Sequence, residues 1–112
     1  LTRLGQRLPI ETSVVDAADR NSLRPIAEGS TAIISALSYR QNPTVAEVAL
    51  DVGASYFDLT EDVATTRVVR DVATQAHPGQ VFVPQCGLAP GFISIAASDL
   101  CIWFEQPQIV QM

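Results

Sequence analysis

No lysine occurs in the 112 residues, and all seven basic residues are arginine. Schiff-base chemistry on a lysine and the lysine-bearing phosphate loop are therefore excluded. Cysteine is scarce: Cys86 and Cys101 match no zinc or redox spacing, so no metal site is expected. With no secretory signal in view, a reduced, cytoplasmic setting is expected. Long hydrophobic runs are missing too. The longest, FISIAASDLCIWF, is interrupted by Asp99 and is too short to span a bilayer. Positive charge is in deficit, with a net charge of −5 and a pI near 4.5. That balance argues against non-specific binding to nucleic acid or anionic membrane, which need clustered cations, and leaves a small molecule as the expected partner.

What is present is a rhythm. Four short apolar runs, Ile10–Asp16, Thr31–Leu37, Ala54–Thr60 and Gln80–Gln85, alternate with segments that carry helical punctuation. Such alternation predicts βαβ crossovers and a parallel sheet in a single domain. Thr31–Leu37 is apolar on both faces, as a central strand should be. In NPTVAEVALDVG, Asn42 can cap, Pro43 fits the first helical position, Val45, Val48, Ala49 and Val52 form one stripe, and Gly53 closes the helix. Glu61–Ala76 presents Ala64, Val68, Val72 and Ala76 on one face, with Glu61 and Asp62 in its first turn. Ser22–Gly29 reads as a shorter helix that tolerates Pro25 in its first turn. LTRLGQRLP resembles the end of another helix. Phe92–Phe104 reads as an amphipathic helix burying Trp103 and Phe104, and the stretch 92–112 leads toward a second domain.

Ligands of open parallel sheets bind beyond the carboxyl ends of the strands. Those ends carry Asp16–Asp19, Ser35–Arg40, Asp58–Asp62 and Cys86–Gly91. Asp58 and Thr60 suit a helix cap as well as a ligand contact, and Asp16 and Asp19 suit a turn equally well. Cys86 suits a packed small hydrophobe or a nucleophile. His77, the lone histidine, belongs to a turn at the opposite end of the sheet. GLAPG, Gly87–Gly91, needs another explanation, since a helix cap uses one glycine and no hairpin is available. Its bareness points to close approach by a flat ligand.

The succession ISAL, YFDLTED and FVPQCGLAPGF resembles the nucleotide-binding domain of the saccharopine dehydrogenase-like oxidoreductases, a group that includes lysine 6-dehydrogenase, from about Ile10 to about Ala97. The resemblance implies a Rossmann-like, three-layer α/β fold with about four parallel strands, an NAD or NADP cofactor, and hydride transfer at a C–N bond of an amino acid. It implies that Asp16 and Ala17 lie by the adenine, and that Ser35, Ala36 and Leu37 run past the diphosphate and nicotinamide ribose. Gly87, Leu88, Ala89, Pro90 and Gly91 would form the floor under the nicotinamide. Asp58, Glu61 and Cys86 are the nearest candidates for catalysis, and Thr60 and Asp62 face the substrate.

Two departures qualify the resemblance. Ala89 stands where the saccharopine-handling branch commonly has an acid, which tilts the chain toward the lysine 6-dehydrogenase-like branch. The Gly-x-Gly-x-x-Gly fingerprint and its strand–turn–helix unit are missing. The chain, which opens on Leu1, is accordingly expected to be an interior piece of a longer enzyme, inactive alone. In such a piece Ile10–Asp16 would pair beside Thr31–Leu37, or pair with another copy, or leave a gap that residues outside this sequence fill; the exposed edge favours association, so a homodimer, by strand or domain exchange among other routes, is expected. The rival expectation is a non-catalytic binding or assembly module that has lost the cofactor. A flavodoxin-like regulator fits less well, because no phosphate-binding loop follows an early strand.

Overall fold

The computed structural model describes residues 10–109; the helix expected at the start of the chain lies outside the described residues. The elements run α1 (Arg20–Ala27), β1 (Ala32–Ser35), a short 3-10 turn (Tyr39–Gln41), α2 (Asn42–Val52), β2 (Ser55–Asp58), α3 (Val63–Ala73), β3 (Phe82–Val83), a wide turn (Leu88–Phe92) and α4 (Ile93–Cys101). The strands form one parallel sheet in the order β1-β2-β3, with Ser35 opposite Asp58 and Tyr56 opposite Phe82. This is the α/β alternation of a partial Rossmann-like fold.

Period-2 alternation sends Tyr56 and Asp58 to one face of β2, where both are buried. Val45, Ala46 and Ala49 of α2, Ala54 and Tyr56, and Val69 and Val72 of α3 make the core on that face, and Phe82 stacks on Tyr56 with ring centroids 5.8 Å apart. Three alanines among these residues let the helices lie close to the sheet. α1 adds Leu23 at the margin of the core and is tied to α2 by Arg20, whose Nε donates to Asp51 at 3.1 Å.

Several expectations are corrected. Ile10–Asp16 forms no strand: it runs unpaired, with Val14 87% exposed, into a turn that enters α1. The run cannot gain a ladder of its own without a neighbour, and β1 remains an edge strand rather than a central one. The helical layer of the described residues covers one face. On the other, Ile34, Phe57 and Val83 are aligned in register across the sheet and Ile34 is 71% exposed. β3 is two residues long because Gln85, the next residue whose N–H would face β2, turns out at φ 64° and donates to Asp58 Oδ1, while the Asp58 carbonyl is taken by the Cys86 N–H.

The helices differ in detail as well. α1 begins at Arg20 rather than Ser22, after an Asp19 cap that accepts from the Asn21 N–H at 3.0 Å, so Pro25 falls beyond the first turn and leaves the Asn21 carbonyl without its helical donor. Asn42 does not cap α2; it lies inside the first turn, buried. Gly53 closes that helix at φ 77°. α3 starts after an Asp62 cap and buries Thr65, Thr66, Val69 and Val72, leaving Val68 exposed. α4 buries none of its residues, and Trp103 and Phe104, expected inside, are 80% and 65% exposed.

Candidate functional site

Two segments converge at the carboxyl end of β2: the loop 59–62 and the segment Gln85–Phe92 that follows β3. Asp58 joins them. Its side chain is fully buried, its Oδ1 accepts from the Thr60 N–H at 2.9 Å and the Gln85 N–H at 3.1 Å, and its Oδ2 accepts from the Tyr56 hydroxyl at 2.9 Å. Its carbonyl accepts from the Cys86 N–H at 2.9 Å and the Cys86 thiol at 3.1 Å. A buried carboxylate is tolerated only when its lone pairs are matched in this way. Burial, reinforced by the Asp58 charge and hydrogen bond, pushes the Tyr56 phenol far above its ordinary value.

Gln85 stands at φ 64°, a left-handed conformation that costs a non-glycine residue roughly 1–2 kcal/mol. The bond from its N–H to Asp58 holds it there. The chain then leaves the sheet and folds back on itself: the Phe92 N–H donates to the Gly87 carbonyl at 2.8 Å, and the Ser94 hydroxyl donates to the Pro90 carbonyl. The glycines are required by this folding. A Cβ on Gly91 would stand 2.8 Å from the Cys86 carbonyl carbon and 2.9 Å from the Gln85 oxygen, and one on Gly87 would stand 3.0 Å from the Leu59 oxygen. Much of the bareness of GLAPG therefore serves the chain's own backbone.

The remaining candidates are placed unevenly. Thr60 Oγ1 accepts from the Asp62 N–H at 3.1 Å, and Asp62 Oδ1 accepts from the Thr65 N–H at 2.7 Å, which holds the Asp62 carboxyl below its ordinary value. Both residues build the entry to α3. Glu61, between them, is exposed and lines a cavity of about 350 Å³ with Gln85, Ala89, Pro90, Ile93 and Ser94. Ser35, the register partner of Asp58, is buried and donates to Asn42 Oδ1 at 2.7 Å, while Ala36 and Leu37 beyond it are exposed. Asn42 was legible only as a cap; its contact to Ser35 depends on the strand register.

Asp16 and Ala17 stand apart. Asp16 Oδ1 accepts from the Ala18 N–H at 2.9 Å, and its carbonyl accepts from the Asp19 N–H and the Ser22 hydroxyl. Arg20 ties the helix that follows to Glu47 and Asp51 in the half of α2 that leads to the amino end of β2. Among the described residues, Asp16 and Ala17 share no hydrogen bond with the other candidates. His77 lies in an exposed turn before β3, its N–H bonded to Gln80 Oε1.

A nicotinamide nucleotide fits this edge at one end. Ala36 and Leu37, just beyond β1, are exposed, Ala89 and Pro90 of the turn line the cavity, and Gln41 Oε1, past β1, is buried without a hydrogen-bond partner. No glycine-rich diphosphate cradle exists in the sequence. No described helix is long and apolar enough to cross a membrane. No solved structure matches the chain. The family model of the saccharopine dehydrogenase NADP binding domain matches residues 2–83, which include all three strands, while the Gly87–Gly91 turn follows the matched region. Matched over most of its length and folded as a parallel α/β sheet, the chain belongs to the saccharopine dehydrogenase NADP-binding domain family.

Proposed function

We propose that the chain supplies the nicotinamide-side half of the nucleotide site in an NAD(P)-dependent oxidoreductase that transfers hydride at the C–N bond of an amino acid such as lysine or saccharopine. The observation that carries this reading is the convergence of 59–62 and 85–92 around one cavity at the carboxyl edge of a parallel sheet, in a chain of this family. The bound nicotinamide would supply the hydride acceptor. The exposed backbone of Ala36 and Leu37 borders the ribose, and Leu88–Gly91 forms the wall against which the ring rests. Glu61, the exposed carboxylate of the cavity, pairs with the substrate's amine, while Thr60 and Asp62 fix the loop that presents it. Asp16 and Ala17 meet the adenine from a separate turn.

Diphosphate binding is left to a strand–glycine loop–helix unit, so the 112 residues alone are inactive in this reading. The exposed apolar face of β1–β3 and the apolar surface of α4 support association with a second copy. Fluorescence titration with NADH and NADPH tests the proposal, on this chain and on the chain preceded by such a unit. Binding only by the longer form supports it, with the tighter nucleotide identifying the cofactor. Binding by neither form favours a non-catalytic α/β module.

A further inference from the structure

The cavity has two walls. Glu61 belongs to the loop after β2, and Gln85, Ala89, Pro90, Ile93 and Ser94 belong to the segment after β3. A single oxygen, Asp58 Oδ1, receives one backbone N–H from each: Thr60, next to Glu61, and Gln85, where the chain turns out of the sheet. The second wall is built on this anchor, because Gly91 packs on the Gln85–Cys86 backbone and Phe92 bonds back to Gly87. We infer that Asp58 is the positioning residue of this site: a buried clasp that sets the separation of the two cavity walls rather than a group that exchanges protons with a ligand. Full burial removes it from contact with substrate, and both its oxygens are engaged. The clasp rests on the proposed function only in assigning a ligand to the cavity.

Amide hydrogen exchange, followed by NMR on the chain without nucleotide, tests the clasp for Asp58→Ala and Asp58→Asn. In D58A the Thr60 and Gln85 amides should exchange about tenfold faster or more, since both lose their acceptor. The Ser55 and Tyr56 amides, bonded to Thr31 and Val81 carbonyls, should quicken by a smaller factor, one that reports only the overall loss of stability from the broken Tyr56 hydroxyl bond. D58N retains a carbonyl oxygen but not the charge, so the same two amides should quicken only about threefold. If D58A does not fold, D58N decides alone. Unchanged rates at Thr60 and Gln85, or an equal rise at Ser55 and Tyr56, would overturn the clasp. The readout needs no nucleotide, so absence of NADPH binding sinks the proposed function and leaves the clasp standing. Conversely, NADPH binding with unchanged exchange sinks the clasp alone.

Discussion

The Tyr56 hydroxyl donates to Asp58 Oδ2 at 2.9 Å, two residues apart on one face of β2, with both side chains fully buried. Tyr56 thereby belongs at once to the core, through its ring on Phe82, and to the site, through Asp58. Tyr56→Phe should lower unfolding free energy by about 2 kcal/mol at neutral pH, the worth of a hydrogen bond to a charged group. The folded state holds the phenol proton more tightly than the unfolded state does. That stabilisation is whole below about pH 10 and drains above it, by about 1.4 kcal/mol per pH unit. Urea unfolding at stepped alkaline pH should show this slope in the wild type and a shallower one in Y56F.

Asp62 behaves in the opposite sense. Its carboxylate is held below the ordinary value of 3.8, chiefly by the Thr65 backbone N–H. Its stabilisation is therefore present above that pH and lost as pH falls through the lowered value. Asp62→Ala should lower the thermal midpoint by about 5 °C at neutral pH and flatten the acid side of the profile. Asp62→Asn should lose less, because an asparagine still caps.

Gly91→Ala places a methyl group against backbone atoms of Gln85 and Cys86 that have no free rotation with which to yield. A loss of about 2 kcal/mol is expected, the cost of overpacking, and Gly87→Ala should cost less because its contacts begin at 3.0 Å. Chemical shift changes in G91A should centre on Gln85–Ser94 and spare α2.

Association should follow the exposed apolar surface. Ile102→Glu, which puts a charge on the end of α4 where Ile102 is 77% exposed, should weaken self-association by at least about tenfold in sedimentation equilibrium. An unchanged dissociation constant would move the interface elsewhere, with Ile34→Glu on the open sheet face as the comparison.

Local rules carried the β-α alternation, the Gly53 closure and the gathering of Asp58–Asp62 with Cys86–Gly91, because each is written in spacing and turn residues. What depends on tertiary neighbours was not legible. Ile10–Asp16 has the composition of a strand, yet without a paired neighbour it stays out of the sheet. The bare turn invited a ligand as its reason, whereas Gly87 and Gly91 are also demanded by Leu59 and Cys86, residues whose proximity only the fold creates. The stripe of α3 lies on Thr65, Thr66, Val69 and Val72 rather than on Val68, and packing of Val69 and Val72 with Tyr56 in the core is what selects that face.

The most direct measurement is a ¹⁵N-resolved titration of NADPH into the chain preceded by a strand–glycine loop–helix unit. Saturable shifts are expected at Ala36, Leu37 and Leu88–Gly91, with Asp16 and Ala17 moving less. Saturable shifts that leave Leu88–Gly91 untouched, or no shifts at millimolar NADPH, would contradict the proposed function.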